Sequence, residues 1–201
     1  HGDLASGTAL RYIAQYVTHL MDLYHRLDPE RETQFLAELE KSVQRSHEIL
    51  VAETERSGVG RGGATTLTMV AEVWPRAYLV QVGDSRCYRL RDGTLERMSQ
   101  DQTIAQALVE QGALSPGDAE HSPLRNMLVS ALGGREARPM TAITDIRWDD
   151  VMLICTDGLT KHVTEKEIEA ELTATSSAEV KRRSSEVVHR AQPDERIHGD
   201  A

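Results

Sequence analysis

Val151-Met152-Leu153-Ile154-Cys155 runs directly into Thr156-Asp157-Gly158-Leu159. Five consecutive apolar residues suit a strand covered on both faces, and the Asp-Gly that follows permits a tight turn with its carboxylate free. The pattern delivers one carboxylate to the tip of a buried strand, a position suited to a metal ligand. An ordinary turn aspartate behind a core strand has the same local pattern, so the choice depends on the rest of the chain.

Immediately upstream, residues 140–148 read as a strand, Asp149-Asp150 as a turn, and Val151 to Cys155 as that strand's partner. Further back the period is two. Thr65, Leu67, Met69, Ala71 and Val73 alternate with Thr66, Thr68, Val70 and Glu72 in a stretch rich in β-branched residues. Pro75 breaks it, residues 77–82 begin another strand, Gly83-Asp84-Ser85 turns the chain, and residues 86–91 return. Asp92-Gly93 signals a further hairpin into residues 94–98, so the middle of the chain reads as an antiparallel meander. Residues 101–132 depart from this pattern and read as an insertion over the sheet, with a short helix around Ile104, Ala107 and Leu108 and another starting at Ser115-Pro116.

Helical spacing frames these strands. Leu10, Ile13, Val17, Leu20, Tyr24 and Leu27 recur at three- and four-residue steps over residues 9–27, which Asp28-Pro29 stops. Phe35, Leu36, Leu39, Val43 and Leu50 share one face of a second helix from about residue 30 to residue 56. Gly58 to Gly63 then acts as a connector; no Lys follows Gly62-Gly63-Ala64-Thr65-Thr66, which disfavours a phosphate loop. Thr164-Glu165-Lys166-Glu167 resembles a capping box opening a helix to about Leu172, and residues 177–191 form a final helix. With no internal repeat and no linker, the whole of residues 1–201 is read as one α+β domain.

Composition bounds the function. A chain of 201 residues supports a sizeable core, but aromatics at 4% leave that core to Leu, Val, Ile, Ala and Met. With 23 basic and 32 acidic residues the formal charge is -9, and no basic stripe is present, so nucleic-acid and anionic-membrane partners are disfavoured. No window approaches about 18 uninterrupted apolar residues and the N-terminus lacks signal-peptide order, so a soluble protein is expected, with cytoplasmic residence the default and a monomer the expected state. Cys87 and Cys155 are the two cysteines, both expected as reduced core thiols.

Two carboxylates stand at strand ends beside small turn residues: Asp84 in Val82-Gly83-Asp84-Ser85-Arg86, and Asp157. Loops at the ends of rigid strands are good places for ligands. Mg²⁺ and Mn²⁺ prefer oxygen donors and keep several waters, so a few Asp side chains suffice. A pair of such ions acidifies a bridging water and clamps a phosphate for in-line displacement. Alternative chemistries fit less well. A cysteine phosphatase needs an arginine closing the loop behind its thiolate, where Gly93 and Lys161 stand here. No G-x-S-x-G elbow occurs, and the eight histidines show no zinc-like spacing.

Five segments in order, Gly63-Ala64-Thr65-Thr66-Leu67, Val82 to Tyr88, Ser99-Gln100-Asp101-Gln102-Thr103, Pro123 to Gly133 and Leu153 to Leu159, resemble the motif series of the bacterial PP2C-type metal-dependent protein serine/threonine phosphatases. The resemblance covers roughly residues 62–160, and Gly2 to Ser6 is similar to the family's first helix entry. It implies a four-layer α-β-β-α sandwich of two antiparallel sheets flanked by helix pairs, with metals in a cleft at one end. By matched position Asp157 is implied as a catalytic residue and ligand of the catalytic metal pair, and Asp84 as a holder of an additional, weaker ion; Mn²⁺ or Mg²⁺ is the implied cofactor. Arg86 would brace its turn rather than touch phosphate. Residues 101–132 would be the flap beside the cleft, with Asp101, Arg125 and Asn126 as its packing and hydrogen-bonding residues. His1 is not assigned the role of a protonating histidine.

The resemblance further implies hydrolysis of phosphoserine or phosphothreonine on proteins by a metal-activated water, with a phosphoprotein substrate and a cognate Ser/Thr kinase as partners. The family's opening strands with their phosphate-binding Arg and Asp-Gly ligand, and its closing strand with an Asp-Asn ligand, have no counterparts here, so the domain is expected to be incomplete at both ends. A catalytically silent phosphatase-like binding or regulatory module is the alternative that follows.

Overall fold

The computed structural model describes residues 2–23, 29–56 and 63–175. Helices α1 (Gly2–Leu23) and α2 (Pro29–Arg56) open the chain. Pro29 takes the first position of α2, where its missing N–H costs nothing. The buried face of α1 is set by Ala5 and Ala9 in line with Ile13, and Leu10, expected on that stripe, is 68% exposed instead. On α2, Phe35, Leu39, Val43 and Leu50 are buried on the facing side, and Tyr16 donates to Glu38 at 2.8 Å to tie the two helices. The connector at residues 57–62, His1 and the helix expected over residues 177–191 lie outside the described residues.

Six strands form two antiparallel sheets. The first has the order β1-β2-β5, with β1 Leu67–Val73, β2 Arg76–Val82 and β5 Met140–Asp145. The second has the order β4-β3-β6, with β3 Arg86–Arg91, β4 Thr94–Arg97 and β6 Val151–Cys155. Two expected hairpins are good: β1 pairs β2 from Leu67↔Val82 to Val73↔Arg76, and β3 pairs β4 through Asp92 and Gly93, both at positive φ (51° and 76°).

The meander is not. Gly83-Asp84-Ser85 carries the chain from one sheet into the other, so β2 and β3 are not partners. Nor are β5 and β6, which pair with β2 and β3 respectively. The strand expected over residues 140–148 ends at Asp145, and Ile146 to Asp150 spans the gap between sheets. Nor is β6 covered on both faces: it is an edge of its sheet among the described residues, and Ile154 is 47% exposed.

Alternation sorts the strands into layers. Tyr78, Val80 and Val82 join the helix residues in one apolar cluster, where Phe35 meets Tyr78 edge to face at 4.9 Å. The other face of β2 carries Ala77, Leu79 and Gln81. Across the gap, Arg89 of β3 reaches β5, donating to Thr144 Oγ1 at 2.7 Å and the Asp145 carbonyl at 3.2 Å. On the outer face of the second sheet, Tyr88 donates to Glu165 at 3.0 Å and the Leu95 amide to Glu169 at 2.8 Å. Both acceptors lie on α6 (Glu165–Ala174), whose start is the expected Thr164/Glu167 capping box. The order is helix pair, sheet, sheet, helix: the α-β-β-α sandwich.

Between β4 and β5 the chain makes an excursion through α3 (Ile104–Glu110), α4 (Pro116–His121) and a 3₁₀ turn at Pro123–Asn126. Thr103 and Ser115 cap the two helices. Its ends are pinned together, Ile104 N–H to the Met127 carbonyl at 2.8 Å and Val129 N–H to the Gln102 carbonyl at 2.9 Å. Arg125 donates to the Glu120 carbonyl at 2.7 Å within the excursion. No described helix is long and apolar enough to cross a membrane.

Leu39, fully buried between helix and sheet, tests this core. Leu39→Ala is expected to cost about 2 to 5 kcal/mol in urea unfolding; a loss below about 1 kcal/mol would show that α2 does not seat on the first sheet.

Candidate active site

The loop that crosses between the sheets is built around Gly83. Its φ of +104° is open to glycine and strained for other residues, and a Cβ there would lie 2.8 Å from Thr66 Cβ, with Thr66 Cγ2 closer still. Thr66 and its neighbours also hold the loop by hydrogen bonds. Thr66 Oγ1 and Ser85 Oγ are 2.7 Å apart, and Thr68 donates to the Ser85 carbonyl at 2.8 Å. The Gly83 amide donates to Gln102 Oε1 at 2.8 Å. Asp84 is thereby presented from a fixed backbone at the end of β2.

Asp157 begins the short helix α5 (Asp157–Thr160), directly beyond the end of β6. Its carboxylate, partly exposed, forms an ion pair with Lys161 one turn on. The two aspartates share one end of the sandwich and interact electrostatically. Asp84 is raised above the ordinary carboxylate range, first by burial and then by the negative charges of Asp157 and Asp101, with its own backbone hydrogen bond and Lys161 opposing. Because the folded state then holds the Asp84 proton more tightly than the unfolded chain, its contribution to stability is present at low pH. That contribution is lost as pH rises through the carboxylate range. A cation between the acids would offset this cost.

The remaining sequence candidates have structural partners. Arg86 grips Asp101 through Nε at 3.1 and 3.2 Å and Nη2 at 2.7 Å, and Arg97 pairs with the same carboxylate. Burial works to lower the Arg86 pKa, but its bonds to Asp101 and Tyr88 outweigh burial and the net shift is upward. Arg86 therefore braces the chain. Neither cysteine is in a disulfide; Cys87 is fully buried, Cys155 only partly. Burial and the neighbouring Cys155 push the Cys87 thiol up to about 11, which leaves it protonated and unsuited as a nucleophile.

Sequence reading missed the residues that grip the Asp84 loop: Thr66, Thr68, Gln81 and Gln102. Gln81 had a signal, since it is the one polar residue between Ala77 and Val82, where alternation alone reads as a solvent-facing position. It is fully buried.

The residues present fit a hard divalent cation in donor type. Mg²⁺-like ions are held by one or two carboxylates with water and substrate oxygens completing the set, and Asp84 and Asp157 supply two such donors. Among the described residues no cluster of three or more His, Cys, Asp or Glu is assembled to hold a metal.

The α-β-β-α sandwich with strand-end carboxylates toward one end is the class of fold that comparison with known proteins ties to protein phosphatases. Residues 1–193 match the family described as Protein phosphatase 2C, and the chain belongs to that family. It is similar to the Mycobacterium tuberculosis serine/threonine protein phosphatase PstP, with 36% identity over 146 residues, covering 73% of this chain and 28% of that protein. The Listeria welshimeri serine/threonine phosphatase stp is 31% identical over 169 residues, 84% of this chain and 65% of that protein. The chain thus spans less than two thirds of the length of either relative. The structure of the PstP catalytic domain in complex with two manganese ions superposes with a TM-score of 0.67 at 31% identity, covering 90% of this chain and 74% of that one.

Gly83→Ala places a side chain where both φ and Thr66 oppose it. A loss of at least about 1 kcal/mol in thermal unfolding is expected, with partial recovery when Thr66→Ser removes the Cγ2 methyl. Full recovery in the double variant would mean that the positive φ carries no cost.

Proposed function

We propose that the protein is a metal-dependent phosphomonoesterase that removes phosphate from phosphoserine and phosphothreonine in proteins. The observation that carries this reading is the placement of Asp84 and Asp157 at one end of the two sheets, each just beyond the end of a strand, with the Asp157 charge acting on Asp84. Family membership and the names of the relatives agree with it. Asp157 is the proposed ligand of the catalytic ions and Asp84 the ligand of a weaker, additional ion. Mn²⁺ and Mg²⁺ both suit these donors, and the manganese bound to the PstP domain supports the first.

When bound, the metal supplies an acidified water and neutralises phosphoryl charge. The chain's own part is to fix the two carboxylates through the Gly83 loop and the start of α5, and to hold Asp101 on Arg86 and Arg97. Residues 101–132 are proposed as a flap beside the site within a single domain of residues 1–201. Its exposed Met127, Leu128 and Val129 lie beside the Gln102 backbone and offer an apolar edge to a protein substrate. A phosphoprotein is the proposed substrate, with a cognate Ser/Thr kinase as the opposing enzyme. We take the protein to act as a cytoplasmic monomer without nucleic-acid or membrane partners.

A second reading, a catalytically silent phosphatase-like binding or regulatory module, is favoured by one observation. The Asp157 carboxylate is engaged by Lys161, which a metal would have to displace.

Hydrolysis of an aryl phosphate by the full-length protein separates the two. Activity is expected to vanish on removing divalent metal and return with Mn²⁺, and Asp157→Asn is expected to remove nearly all of it. Turnover that survives chelation would reject the metal mechanism, and a folded wild type that binds no Mn²⁺ would favour the silent module.

A further inference from the structure

Gln81 is an uncharged but fully polar side chain placed in the gap between two sheets with 0% exposure. A buried amide without partners would be costly, yet every heavy polar atom of this one is engaged, and two of its three partners belong to the Asp84 loop. Nε2 donates to the Gly83 carbonyl at 3.2 Å and to the Ser85 carbonyl at 3.1 Å. Oε1 accepts from the Gln100 amide at 3.0 Å. The three bonds fix the orientation of the amide, since two carbonyls face the nitrogen and one N–H faces the oxygen.

Gln102 completes the grip from the other side. Its Oε1 accepts from the Gly83 amide, its backbone N–H donates to the Gly83 carbonyl at 3.0 Å, and its Nε2 donates to the Arg138 carbonyl at 2.8 Å. The two glutamines bond the peptide groups on either side of Asp84 and leave its carboxylate uncommitted to either of them.

We propose that Gln81 and Gln102 are positioning residues for the metal site. They clamp the backbone of Gly83 and Ser85 so that the Asp84 carboxylate is held at the site without reorganisation when a cation binds. This rests on the reading of Asp84 as a ligand of the weaker ion. Partners that orient a ligand in this way are worth about 10- to 100-fold in metal affinity.

The test is a calorimetric Mn²⁺ titration of the full-length protein, combined with amide hydrogen exchange at residues 83–85. Asp84→Asn identifies the binding step that Asp84 serves. Gln81→Met keeps the volume and removes all three side-chain bonds, while Gln102→Leu, at a partly exposed position, removes only the side-chain bonds of the second clamp. Each is expected to weaken the step defined by Asp84→Asn by about 10- to 100-fold. Exchange at residues 83–85 is expected to accelerate while the β2 and β3 amides keep their protection. Folded Gln variants with an unchanged Mn²⁺ step, or with exchange accelerated evenly through β2, β3 and the loop, would overturn the proposal. If Asp84→Asn itself alters no step, Asp84 is not a ligand and the inference falls with that reading, an outcome distinct from failure of the glutamine clamp.

Discussion

The contact between Gly83 and Thr66 is the constraint on which the rest of the structure depends. A chain leaving β2 must change sheets within three residues, and it does so with a backbone angle open to glycine, pressed against a threonine that leaves no room for a side chain. That close approach brings Ser85 within reach of Thr66 and Thr68, which sets where β3 begins. The start of β3 in turn fixes β6 through the Arg86↔Cys155 pairing, and β6 delivers Asp157. The two aspartates are therefore placed by one continuous chain of contacts rather than by two independent loops.

The segment Ser99 to Thr103 acts as a strap over this junction. Ser99 accepts from the Cys87 amide, Gln100 donates to Gln81, Asp101 receives Arg86 and Arg97, Gln102 holds Gly83, and Thr103 caps α3. Five consecutive residues thus face six different partners on both sheets and the excursion. Asp101 also adds negative charge near Asp84, which its two arginines limit. The strap joins fold and site: what holds the sheets together also sets the field in which Asp84 ionises.

Local pattern made the elements legible but not all of their partners. The alternation in β1, the Asp92-Gly93 turn, the Thr164 capping box and the α2 stripe all report short-range geometry and appear in the structure, whereas the α1 stripe appears only in part, with Leu10 68% exposed. The failures share one cause. A hairpin and a crossing between sheets both call for a small, turn-forming segment, so Gly83-Asp84-Ser85 and Asp149-Asp150 read as hairpins when each connects strands of different sheets. The apolar run of β6 implied cover on both faces, but edge position and burial are set by neighbours that the run itself does not encode. Asp84 and Asp157 stand at strand ends beside glycine, a pattern that ordinary turn aspartates share, so what singled them out was the ordered series of segments around them and not either turn alone. Gln81 was not, because a polar residue in an alternating strand normally faces water.

The two poles of the gap between the sheets are bridged by residues of different charge. At the pole away from the aspartates the bridging residue is charged: Arg89 spans from β3 to Thr144 and the Asp145 carbonyl while pairing with Glu96. At the aspartate pole the bridging residue is Gln81. A buried guanidinium there would pair with Asp84 and neutralise it, and a carboxylate would add to the repulsion that already raises it. An amide donates twice and accepts once without altering the net charge. It can therefore lock the loop while leaving the charge around Asp84 unchanged.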